Sequence, residues 1–152
     1  MSIAVFISRL GMLPANFSPL GALGFFSSNP MIFVLSFLAF DWLVGGFYQG
    51  VQFNYLGFLG YWLIGRLAAQ NMKLQLVGLP LASLLFFLMS NFGVWLYWYP
   101  HTLNGLAACY LLAVPFYRNT LIGDLVFGYG YLLVKAIIKK YMTLHQPHSA
   151  VL

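Results

Sequence analysis

Charge is what this sequence has least of: 6% of its 152 residues are Asp, Glu, Lys or Arg, and the acids number two, Asp41 and Asp124. Soluble domains are about a quarter charged, so this chain cannot cover itself with a polar surface. Cysteine is nearly absent too, and the single Cys109 excludes an intrachain disulfide and any cysteine-cluster metal site. There is no Walker-type glycine loop, no HExxH, no GxSxG, and no carboxylate pair at a di-metal spacing. With two acids and three histidines, two of them in the C-terminal tail, an enzyme is not expected. No cofactor is expected within the chain.

What fills the sequence instead is apolar: 62% hydrophobic and 19% aromatic, with a mean hydropathy of +0.86. Uninterrupted apolar stretches near ~20 residues mark membrane spans, and no segment shows the alternation of a barrel strand, so backbone groups in a bilayer are satisfied only as helices. The expected fold is all-α, a polytopic membrane bundle of about six helices forming a single domain over residues 1–152. A soluble catalytic domain has no room. The N-terminus has no basic start ahead of its apolar run and no convincing cleavage site, and it reads as part of the mature protein. The net charge of +5 comes from residues at the edges of apolar segments, which points to membrane flanks and not to nucleic acid.

The spans read as follows. Ile3 to Phe26 is broken by Pro14, Asn16, Ser18 and Pro19, giving a kinked or partly re-entrant first span, and about five crossings if it does not cross. Met31 to Phe47 follows Asn29-Pro30, a pair suited to starting a helix. Phe53 to Ala69 is the third and Leu74 to Leu96, kinked at Pro80, the fourth. Tyr97-Trp98-Tyr99-Pro100 then reads as an interfacial aromatic cluster. Leu103 to Phe116 is a short fifth span ending near Pro115, and Asn119 to Ile138 the sixth, with residues 141–152 as a flexible tail.

Small residues that let helices approach recur at Gly105, Cys109 and Ala113 and at Gly78 and Ala82, while Gly123, Gly128 and Gly130 thin the last span. Six spans put Lys135, Lys139 and Lys140 on one side and Arg66, Lys73 and Arg118 on the other. The lysine cluster favours cytoplasmic termini and an inner-membrane location.

Function is sought among polar groups inside spans, because an ionisable side chain there costs at least ~2.5 kcal/mol on insertion scales. Asp124 reads either as a carboxylate near a helix N-terminus, capped by Asn119 or Thr120 with Arg118 as partner, or as a cavity residue. Asp41 lies near a helix C-terminus, where the dipole disfavours it, so it needs Arg66 or a ligand donor. Asn16 and Asn91 suit an interhelical hydrogen bond or a substrate. Trp95 and Tyr99 suit an aromatic belt or a planar ligand. Cys109 reads as packing before metal, and His101 as an interfacial histidine before a ligand.

The stretch Pro14-Ala15-Asn16-Phe17-Ser18-Pro19-Leu20-Gly21-Ala22-Leu23 resembles the opening motif of an uncharacterised bacterial family of small multi-pass proteins labelled as transport proteins. The match continues through Asn91-Phe92-Gly93-Val94-Trp95, Tyr99-Pro100, Gly105-Leu106, Cys109-Tyr110, Pro115-Phe116 and Asn119-Thr120-Leu121-Ile122-Gly123-Asp124. The family is in turn similar to the substrate-binding S-components of energy-coupling-factor vitamin transporters. That similarity implies helices enclosing a pocket near the outer face, uptake of a vitamin or related small molecule, and partner transporter subunits. A cobalamin-like ligand would give Cys109 or His101 a cobalt-coordinating role. The other expectation is an accessory subunit that packs into a larger membrane complex.

Overall fold

A computed structural model describes residues 13–144 together with Ile3. Its elements are α1 (Leu20–Phe25), α2 (Pro30–Phe40), a one-turn π-helix (Asp41–Gly45), α3 (Val51–Ala68), α4 (Met72–Trp98) and α5 (Leu103–Leu144). No strand occurs among the described residues. The starts have local causes. Asn29 accepts from the backbone N–H groups of Met31 and Ile32 at 2.9 and 3.3 Å, with Pro30 in the first turn. Asn71 repeats the device at α4, accepting from Lys73 and Leu74 at 2.9 and 3.3 Å. Both caps satisfy N–H groups that a helix start leaves over.

The expected fifth and sixth spans are one helix. Pro115 lies inside α5 and does not end it: the ring fixes a φ suited to a helix and removes one hydrogen bond, a loss the many neighbouring bonds and the packing on α4 absorb. Asn119 and Thr120 are accordingly mid-helix and cap nothing. The helix also continues to Leu144, so residues 141–144 are not tail. Residues 4–12 and 145–152, which carry the start of the expected first span and the rest of the tail, lie outside the described residues.

Two helices, Met72–Trp98 and Leu103–Leu144, are long and apolar enough to cross a membrane, and the apolar stretch Pro30–Gly45 is shorter. About six crossings are therefore not supported. Only 28% and 22% of the most apolar windows of α4 and α5 are buried, whereas a core helix of a soluble protein would be mostly covered. Their apolar side chains, such as Leu81, Leu111 and Leu112, face outward.

The helices form an antiparallel series. α3 and α4 make the most extensive pair, α5 packs on α4, and α1 touches α3, α4 and α5. The α4–α5 register is fixed by three bonds to α4 carbonyls: Cys109 Sγ to Asn91 at 3.5 Å, Tyr110 Oη to Leu88 at 2.7 Å and Tyr129 Oη to Leu76 at 2.7 Å. The small residues Gly105, Cys109 and Ala113 on α5, and Gly78 and Ala82 on α4, are buried as expected. Phe25, Tyr61, Ala68, Leu79 and Ala82 form the main core, Phe33 and Phe37 a second, and Phe58 packs against both.

Merging the last two spans reverses one feature of the charge map. Arg66 in the last turn of α3 and Lys73 in the first turn of α4 lie at the same end as Lys135, Lys139 and Lys140, not opposite them. Arg118 is exposed near the middle of α5.

Candidate functional site

Both carboxylates are buried, each 1% exposed, and each meets a tyrosine instead of the arginine expected for it. Asp41 opens the π-helical turn, and its Oδ2 accepts from Tyr55 Oη at 2.5 Å. Arg66 lies eleven residues further along α3 than Tyr55, about 16 Å at 1.5 Å per residue, and so belongs to another level of the bundle.

Asp124 lies in the interior of α5, and its Oδ2 accepts from Tyr61 Oη. Ser83 is fully buried close to this pair, and its hydroxyl has no hydrogen-bond partner among the described residues. The aspartate thus ties α5 to α3, with α1 packed against the pair at Gly21. Gly21 makes room for it, since a Cβ there would overlap Asp124 Oδ1 and the Tyr61 ring.

Beside this cluster lies an open cleft of about 230 Å³ lined by Asn16, Asn54, Phe86, Phe87, Ser90, Asn91, Ala113, Phe116, Tyr117 and Thr120. No charged side chain lines it. Its donors are largely engaged already. Asn91 Nδ2 donates to Phe87 O at 2.8 Å, Thr120 Oγ1 to Phe116 O at 3.1 Å, and Asn54 Nδ2 to the Tyr48 hydroxyl. Each asparagine keeps its amide oxygen as an acceptor. Phe87 and Tyr117 supply a wall of two tilted rings in contact, with centroids 4.7 Å apart at 33°. Asn16 reaches the cleft from a left-handed backbone conformation, φ 62°, which asparagine tolerates better than most residues. Asn119 holds that segment by donating to Ala15 O at 3.0 Å.

Of the residues singled out from sequence, the cleft brings together Asn16 and Asn91. Asp41 and Asp124 do not line it. Trp95 and Tyr99 lie at the end of α4, where Trp95 Nε1 donates to Pro100 O at 3.1 Å and the Trp95 ring lies 5.4 Å from that of His101. His101 bonds to Leu96 O at 2.8 Å. Cys109 is buried in the α4–α5 seam. No group of three or more His, Cys, Asp or Glu side chains is placed to hold a metal among the described residues. Sequence reasoning missed Tyr55 and Tyr61. One signal was available: with nearly all cations at segment edges, buried carboxylates must find hydroxyl donors.

No curated protein matches the chain, and no solved structure does. A family match covers residues 1–145. The chain belongs to the family of unknown function DUF6580.

Proposed function

We propose that the chain is a multi-pass inner-membrane transport protein, an S-component-like subunit that binds a vitamin or related small molecule in the cleft walled by Asn16, Asn54 and Asn91. The observation that carries this reading is an uncharged, acceptor-bearing cleft set among apolar helices, at the end of the bundle away from the lysines. Asn91 lies seven residues before the end of α4, about 10 Å from that end at 1.5 Å per residue. With the cation-rich end cytoplasmic, the cleft opens toward the outer half. Its volume of about 230 Å³ lies below the roughly 300–1,000 Å³ of sites for drug-sized ligands. A small, neutral, planar molecule with N–H or O–H donors suits it better than a cobalamin-like one.

A second reading, an accessory subunit of a larger complex, is favoured by Arg118. An exposed arginine halfway along an apolar helix is costly against lipid and suits a protein partner. The test is ligand retention: protein purified in mild detergent is extracted and co-purifying small molecules are identified by mass spectrometry. The expected result is a stoichiometric molecule that is lost in Asn91→Leu and kept in Lys73→Gln. An empty preparation that carries other membrane subunits with it supports the second reading instead.

A further inference from the structure

The chain holds seven Lys and Arg residues against two acids, and both acids are committed to tyrosines elsewhere. Five of the cations, Arg66, Lys73, Lys135, Lys139 and Lys140, collect at one end of the bundle, and no acidic side chain of the chain is left to neutralise them there. Within that end lies a second cavity of about 570 Å³, between the α3–α4 turn and the C-terminal third of α5. Lys135, Lys139 and Lys140 line it from α5, and Gln70 and Gln75 from the turn and the first turn of α4. Gln75 is buried and its Nε2 is tied to Ala69 O at 3.0 Å, so the floor of the cavity is fixed, whereas the lysines are exposed and adjustable.

The surroundings specify the rest. The register of Tyr129 on Leu76 sets the α3–α4 turn against residues near Leu132, so α5 runs on past the turn for about three helical turns. On this extension Val134, Ile137, Ile138 and Tyr141 are exposed. Their spacing puts them on one face, and Lys135 and Lys139 share another, as in a helix lying at the lipid–water boundary. A cavity with three unneutralised lysines at that depth is complementary to a phosphate that has acyl chains beside it.

We propose that this cavity binds the phosphate headgroup of an anionic phospholipid. The inference rests on the membrane reading above and not on the outer cleft or its ligand. The full chain is reconstituted into nanodiscs of phosphatidylcholine, alone or mixed with phosphatidylglycerol, and retained lipid is counted by native mass spectrometry. Phosphatidylglycerol is expected to be retained over phosphatidylcholine, with a loss of roughly fivefold for each lysine replaced, on the order of a hundredfold for the triple variant Lys135→Gln, Lys139→Gln, Lys140→Gln. Lys73→Gln, at the same end but outside the cavity lining, is expected to retain the lipid as wild type does. Equal retention by the triple variant, or an effect as large from Lys73→Gln, overturns the proposal. Full displacement of the lipid by inorganic phosphate also overturns it and makes the site one for free phosphate. A chain that proves soluble without detergent overturns the membrane reading and this proposal together, whereas unselective retention by a membrane-embedded chain overturns this proposal alone.

Discussion

The Tyr61→Phe variant is expected to unfold at a clearly lower temperature than wild type, with a loss of about 1–3 kcal/mol, because it removes one hydroxyl and leaves a buried carboxylate short of a donor. Tyr61 is fully buried, and its hydroxyl meets Asp124 across the core, so water cannot replace it cheaply. Asp124→Asn should also destabilise, since an amide oxygen is a weaker acceptor for the Tyr61 hydroxyl than a carboxylate and the amide brings two N–H donors into a buried position. The double variant should lose less than the sum of the two, with a coupling of about 0.5–3 kcal/mol, read from thermal unfolding in detergent followed by circular dichroism. Strict additivity would mean that the two groups do not depend on each other, and the account of Asp124 as a structural clamp would be wrong.

Gly65→Ala should be as damaging for a different reason. A Cβ at position 65 would overlap the backbone carbonyl of Phe25, and backbone at the end of α1 cannot step aside as a long side chain can. Overpacking of this kind typically costs about 1–3 kcal/mol, occasionally more. Gly130→Ala is the matched control: a Cβ there meets nothing within 4 Å, and alanine is the better helix former. The control should be neutral or stabilising. If both variants unfold at the same temperature, the close approach of α1 to α3 is not what the structure indicates.

The helical elements were legible in the sequence wherever the chain announces them locally. Asn29-Pro30 starts α2 as expected, and Phe53 to Ala69 and Leu74 to Leu96 match Val51–Ala68 and Met72–Trp98 to within a turn. What failed was the meaning of Pro115. A proline with polar residues soon after it reads as a boundary, yet it was absorbed into one long helix, and with it went the span count, the cap at Asn119 and the side on which Arg66 and Lys73 lie. The site was half legible. Asn16 and Asn91 stand out because amides among apolar residues stand out, but Asn54, Ser90 and Thr120 join them only through helix register, which hydropathy does not encode. Tyr61 is one of ten tyrosines, and nothing in its neighbours marks it as the partner of a residue 63 positions away.

Pro115 has one more consequence. It has no N–H to give the Leu111 carbonyl, so the ladder of α5 lacks a bond beside the asparagine-lined cleft, whose wall includes Ala113, Phe116 and Tyr117. Lys139 stands 24 residues further on, about 36 Å along the axis at 1.5 Å per residue. A bend of about 5° at the proline would swing that lysine about 3 Å sideways on such a lever arm. The length of α5 beyond the proline thus sets the scale on which any change of angle at Pro115 would be felt among the lysines.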